Sequence, residues 1–291
     1  MHFLCLHGLG TNSRILQVQT ASLRHELGDS HTFDYVEGTL PCPIDPAIAP
    51  YFPEESDEGY AYFDPSQPAT YATALEQLEA FLVAEGPFDG ILAFSHGAQL
   101  AASFLIERAR SAASSSPAGA RSIRCAIFLS GGIPYQWSSS PTAAALPDVG
   151  KLTPIAEAER EGTATPSALP VLLQLPTAHI WGQNDTSYPG TSVVLSRLCK
   201  PEWRAVFVHD GGHEVPGMGA EEKACAYWWG NKSSLFGGSE ISLGAKVFLT
   251  HSHQINAAGK LGRNPRRLVA PSEYLESPIK EDAEGYQRQI I

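Results

Sequence analysis

Ile91-Leu92-Ala93-Phe94-Ser95-His96-Gly97-Ala98 decides the fold. Four apolar residues lead into a serine, a glycine follows two positions later, and a helix-like run opens with small residues over Gly97–Arg110. A serine presented on a sharp strand-to-helix turn carries this signature, G-x-S-x-G, because small neighbours let strand, helix and serine backbone approach closely. Ala93 stands at the first glycine position and adds one methyl group. A serine before a helix is also a common N-cap, so the motif by itself does not assign chemistry.

Outward from this turn, short apolar runs alternate with longer helix-like stretches. Strands are expected at His2–Leu6, Thr32–Val36, Gly90–Phe94, Arg124–Leu129, Ala178–Trp181 and Arg204–Val208. Several are apolar almost without interruption, as in strands buried on both faces. Helices are expected at Asn12–Leu27, Ala69–Val83, Gly97–Arg110, Thr191–Cys199 and Ala220–Trp229. This alternation predicts an α/β fold of the α/β-hydrolase type, a mostly parallel central sheet with helices on both faces.

An activated serine needs a histidine base, and the base needs an oriented carboxylate. On this type of fold they follow in the order serine, acid, histidine, each on a loop after a strand. Asp185 follows the run Ala178–Trp181, and His213 follows Arg204–Val208, so Ser95, Asp185 and His213 form the expected triad. His209 competes with His213 but sits at the strand end, whereas His213 follows Gly211-Gly212, a pair read as able to swing it toward the serine. Asp210 competes with Asp185 but lies on the histidine's own loop.

His7-Gly8-Leu9-Gly10 follows the first strand, where half of an oxyanion hole is expected. The expected backbone donors are the amides of Leu9 and of His96, the residue after the serine. The ring of His7 is expected to pack and hydrogen-bond within its loop.

Two connections are long and Pro- or Ser-rich, Gly38–Pro68 and Gly131–Pro170. Loops of this length in a compact domain are commonly functional. They are read as lid-like, with Tyr51, Phe52, Tyr60, Tyr62 and Trp137 facing the substrate. From Gly230 the apolar pattern fades, so a hydrolase domain over 1–229 and a poorly ordered extension over 230–291 are expected.

Composition narrows the class further. The hydrophobic share of 43% supports a large core, and the 18% of charged residues speaks against disorder. A formal net charge of −11 disfavours nucleic acid and anionic membrane surfaces as partners. The five cysteines form no CxxC pair and no cluster with histidine, so neither a metal nor another cofactor is expected. Their scatter, the lack of a basic start before Phe3-Leu4-Cys5-Leu6, and the lack of any apolar stretch near the roughly 18 residues that span a bilayer point to a cytoplasmic protein.

Several motifs together resemble the fungal family of LovG-like serine hydrolases, esterases and thioesterases of the α/β-hydrolase superfamily. They are Leu6-His7-Gly8-Leu9-Gly10-Thr11-Asn12, Phe33-Asp34-Tyr35-Val36-Glu37-Gly38, Phe88–Ala98, His179–Asp185 and Gly211-Gly212-His213-Glu214-Val215-Pro216. The resemblance covers roughly residues 1–225 and implies an intact N-terminus and hydrolysis of a carboxylic ester or thioester through an acyl-enzyme. It further implies a small-molecule or carrier-bound acyl substrate in fungal secondary metabolism, with a polyketide synthase carrier domain as a candidate partner. Ala93 and His96 depart from the residues usual at their positions, and the segment after Trp229 matches nothing in the family. A general carboxylesterase for small esters, and a non-catalytic binding protein on the same fold, are the competing readings.

Overall fold

The computed structural model describes residues 1–51, 58–112, 123–139, 150–155 and 169–217. All six expected strands form. They are β1 (His2–Leu6), β2 (Thr32–Val36), and, after the short pair β3 (Leu40–Cys42) and β4 (Gly59–Ala61), β5 (Gly90–Phe94) and β6 (Cys125–Leu129). A second short pair, β7 (Tyr135–Ser139) and β8 (Gly150–Pro154), precedes β9 (Thr177–Gly182) and β10 (Arg204–His209). The main sheet runs in the order β10-β9-β6-β5-β1-β2 and every pairing in it is parallel.

Side chains alternate across a strand, so each apolar run serves two cores. Leu4, Leu6, Ile91, Ala93, Ala126 and Phe128 face one layer, together with α3 (Pro68–Glu85) and α4 (His96–Ala112). Phe3, Cys5, Leu92, Phe94, Ile127 and Leu129 face the other, with Leu16 from α1 (Ser13–Gln19) and Leu23 and Leu27 from α2 (Ala21–Leu27). Ile91 and Leu92 are fully buried on opposite faces, each contributing about 2 kcal/mol of hydrophobic stabilisation. This is an α/β-hydrolase fold, with α5 (Thr191–Arg197) between the last two strands.

Two expectations are corrected. The single helix read over Asn12–Leu27 is two, capped at the start by Asn12, which accepts from the Ile15 amide at 2.9 Å. They part at Thr20, fully buried, whose hydroxyl donates to the Leu16 carbonyl at 2.7 Å; such back-bonding competes with the helix ladder. The connections read as loops each hold an antiparallel pair, β3 with β4 and β7 with β8. The helix read at Ala220–Trp229, the extension 230–291, Phe52 and the side chain of Trp137 lie outside the described residues, as does much of both lid-like segments.

The topology chooses where chemistry is placed. Strand β1 lies one place in from the sheet edge, with β2 on one side and β5 on the other. Loops leaving neighbouring strands in opposite directions open a crevice at the carboxyl ends, the usual ligand site of an open α/β sheet. The loops after β1 and β5 are His7–Gly10 and Ser95.

Candidate active site

Ser95 is held at φ 51°, in the left-handed region that non-glycine residues seldom adopt. Its amide donates to the Leu129 carbonyl at 2.9 Å and its carbonyl accepts from Gln99 at 3.0 Å, so β6 on one side and α4 on the other impose the turn. Gly97 makes the turn possible. A Cβ there would lie 2.5 Å from the His7 carbonyl oxygen and 2.6 Å from that of Leu6. Ala93 is accommodated with no exposed surface, between Leu6 of β1 and Phe128 of β6.

Asp185, His213 and Ser95 meet in one hydrogen-bonded row. His213 Nδ1 lies 2.7 Å from Asp185 Oδ2, and Nε2 lies 2.8 Å from Ser95 Oγ. A carboxylate only accepts, so Nδ1 carries the hydrogen and Nε2 is left to accept the serine proton. The other carboxylate oxygen of Asp185 takes the amides of Ser187 and Tyr188, at 3.1 and 3.0 Å. Burial raises the pKa of the Asp185 carboxyl, but the bond from His213 and the two amides outweigh it, and the net shift is downward. The acid therefore stays ionised. The rings of Tyr188 and Phe94 pack at 4.6 and 5.4 Å from the imidazole.

The rival residues have other tasks. His209 is buried and its Nδ1 accepts the Gly211 amide at 3.1 Å. Asp210 accepts from Gln183 Nε2 at 2.7 Å, while its carbonyl accepts from Asn184 Nδ2 at 2.6 Å. These bonds tie the acid loop to the histidine loop. The glycine pair before His213 also acts differently from the reading above. Neither Gly211 nor Gly212 takes the left-handed conformation. A Cβ on Gly211 would strike the Glu214 carboxylate, and one on Gly182 would overlap the Gly211 and Gly212 carbonyl oxygens, so smallness matters there rather than swing.

His96 contributes its ring as a brace. It is buried, its Nε2 accepts the Tyr62 amide at 3.1 Å, and burial is the main cause pushing its pKa down to about 3, so the ring is neutral. Among the described residues the backbone amides of Leu9 and His96 have no acceptor. No group of three His, Cys, Asp or Glu side chains among those residues could hold a metal ion.

The aromatic residues read as substrate-facing disperse. Tyr62 is 6% exposed; its hydroxyl donates to the Val36 carbonyl at 2.9 Å and accepts the His7 amide at 2.8 Å, which builds it into the framework rather than the rim. Tyr51 is 78% exposed on a short turn after β3, and the Tyr60 hydroxyl donates to Glu58 at 2.9 Å on the surface. A cavity of about 270 Å³ is lined by Leu6, Val36, Tyr62, Leu78 and Phe81, and no triad residue borders it.

The sequence model of the family described as serine hydrolase (FSH1) matches residues 1–224. The chain belongs to the FSH1 serine hydrolase family. It is similar to an esterase of Fusarium mangiferae, FPY3, with 37% identity over 225 residues that make up 76% of this chain and 91% of that protein. It is also similar to a hydrolase of a fungal species, phiM, with 30% identity over 217 residues, 74% of this chain and 86% of that one. A solved carboxylesterase from Mesorhizobium loti aligns over 81% of this chain and 88% of its own at 18% identity, with a TM-score of 0.43.

Membership in a serine hydrolase family agrees with the row of Asp185, His213 and Ser95. Sequence reasoning missed Tyr188, whose ring covers the imidazole, because nothing in Ser187-Tyr188-Pro189 shows that the acid's own loop folds back over the base. The available signal was an Asx turn at Asp185, which accepts the Ser187 amide two residues on and brings Tyr188 next. No helix among the described residues is long and apolar enough to cross a membrane.

Proposed function

We propose that this family member hydrolyses a carboxylic ester or thioester through an acyl-enzyme on Ser95. His213 removes the Ser95 proton as Oγ attacks the carbonyl carbon, and Asp185 holds the imidazole and stabilises the imidazolium. The amides of Leu9 and His96 receive the developing oxyanion, one such donor being worth about 3–4 kcal/mol of barrier. His213 then protonates the leaving alkoxide or thiolate, and water repeats the sequence to release the acid. The observation that carries this reading is the unbroken hydrogen-bonded row from Asp185 through His213 to Ser95.

For the acyl group we propose a polyketide-type chain, carried as a thioester on a synthase carrier domain, in fungal secondary metabolism. Its support is the resemblance of the motifs from Leu6 to Pro216 to fungal hydrolases of that kind. Cytoplasmic action fits the four described cysteines, all free and three of them buried.

Labelling with a fluorophosphonate probe tests the nucleophile: the native chain reacts and Ser95→Ala does not. Equal labelling of both refutes the assignment. A panel of carrier-protein thioesters and free esters tests the acyl group. Turnover of free esters alone leaves a small-ester carboxylesterase and removes the carrier reading.

A further inference from the structure

The motif Phe33–Gly38 takes no part in the proton relay, yet Glu37 reaches the oxyanion side of the site. It follows β2, which lies beside β1. Its carboxylate accepts the Ser13 amide at 3.0 Å and the Ser13 hydroxyl at 3.0 Å, and lies 2.9 Å from His7 Nε2. Burial raises the Glu37 pKa, but the nearby His7 ring and the bonds from Ser13 outweigh it and hold the carboxyl below its ordinary value.

His7 is fully buried against Tyr62, with ring centres 4.7 Å apart. Its Nδ1 lies 2.8 Å from the Gly8 carbonyl oxygen, which can only accept, so Nδ1 carries a hydrogen. The Thr11 hydroxyl donates to the same oxygen at 2.7 Å. His7 Nε2 faces both the Gly38 amide at 2.9 Å and Glu37. With the hydrogen on Nδ1, Nε2 accepts the Gly38 amide, and the two bonds hold the ring from either end.

A trans peptide is planar, with C=O and N–H pointing opposite ways. Two donors gripping the Gly8 carbonyl therefore turn the Leu9 N–H in the other direction. Gly8 stands at the nucleophile, since a Cβ built on it would lie 3.6 Å from Ser95 Cβ. We propose that Thr11 and His7 are positioning residues that lock the Gly8–Leu9 peptide with its N–H toward the oxygen that becomes negative, the Gly38 amide anchoring the His7 ring. This rests on Ser95 being the nucleophile, as proposed above.

The test uses the full chain, the ester of the panel that it turns over fastest, and a trifluoromethyl ketone whose adduct with Ser95 carries an oxyanion. Thr11→Val is expected to lower kcat about tenfold with KM changed less than about twofold, a fraction of the 100–1,000-fold that losing a whole donor costs. The ketone's inhibition constant rises by the same factor as kcat/KM falls, because both report the oxyanion site. Thr11→Ser recovers most of the lost kcat. Circular dichroism checks folding, and if Thr11→Val fails to fold, Thr11→Ala takes its place. The proposal is overturned if the folded Thr11→Val or Thr11→Ala variant keeps kcat within twofold, or if the loss appears only in KM. Hydrolysis that survives in Ser95→Ala would instead overturn the nucleophile assignment.

Discussion

Lowering the pH from 7.5 to 5.0 is expected to destabilise the folded chain by about 4 kcal/mol through two histidines, His96 and His179. Both are buried, and desolvation is the main cause bringing each from 6.5 down to about 3. Nε2 of His96 accepts the Tyr62 amide at 3.1 Å and faces the Phe63 amide at 3.4 Å, so a proton there would set N–H against N–H. His179 is packed against Phe128 at 5.3 Å and further depressed by the charge of Arg204. The folded pKa lies below the unfolded one, so the unfolded chain binds more protons between pH 6.5 and 3. Stability is full above 6.5 and falls as pH drops through that window, by about 1.4 kcal/mol per unit for each group. At pH 5.0 each histidine costs about 2 kcal/mol, a large share of the 5–15 kcal/mol typical of a domain. Carboxylates with lowered pKa, such as Glu37 and Asp185, contribute stability that is lost only below their ordinary range, outside this interval. His31, half-buried and also lowered, adds in the same direction as the pair. Urea denaturation followed by far-ultraviolet circular dichroism at both pH values reads the loss directly. His96→Gln and His179→Gln are each expected to shrink it by about 2 kcal/mol, whatever they do to stability at pH 7.5. A native chain that loses under about 1 kcal/mol, or variants that lose as much as the native chain, would refute the reasoning.

Asp185→Asn removes the charge that fixes the His213 tautomer and is expected to lower kcat by about 10³–10⁴ while the chain stays folded. Asp210→Asn, which leaves the bond between His213 and Asp185 in place, is expected to stay within about threefold of native turnover, and an equal loss in both would mean that the acid is misassigned. Gly97→Ala places a methyl group 2.5 Å from the His7 carbonyl oxygen and is expected to cost about 2 kcal/mol or more, seen as a lower melting temperature together with reduced kcat.

The strands and the hydrogen-bonded row of Ser95, His213 and Asp185 were legible because both rest on local patterns: apolar runs of five or six residues, and polar residues placed just after them. What escaped depends on contacts between distant segments. Thr20 continues an apolar stripe, so only its burial against the Leu16 carbonyl reveals the break between α1 and α2. Strands β3 and β4 span three residues each, and one holds Pro41, too short for any alternation to show. Tyr62 looks like a substrate-facing ring amid acidic residues and prolines, until its hydroxyl finds both the His7 amide and the Val36 carbonyl. Gly211 illustrates a general ambiguity. A glycine can be demanded by a backbone angle or by a close neighbour, and a sequence does not tell the two apart.

The site is braced from two sides. On one side, Gln183 donates to the His209 carbonyl at 2.8 Å and Asn184 to the Gly211 carbonyl at 3.1 Å, and the Asp210 braces add to these, so Asp185 and His213 are held together. On the other, Gly97 is pressed against the carbonyls of Leu6 and His7, and the Gly8 peptide is gripped by His7 and Thr11, so Ser95 and the Leu9 peptide are held together. The two sides meet through the 2.8 Å contact of Ser95 Oγ with His213 Nε2, through the Phe94 ring against the imidazole, and through the pairing of β6 with β9. The proposed reaction needs groups aimed before the substrate arrives, and loops braced within themselves and against one sheet supply that aim.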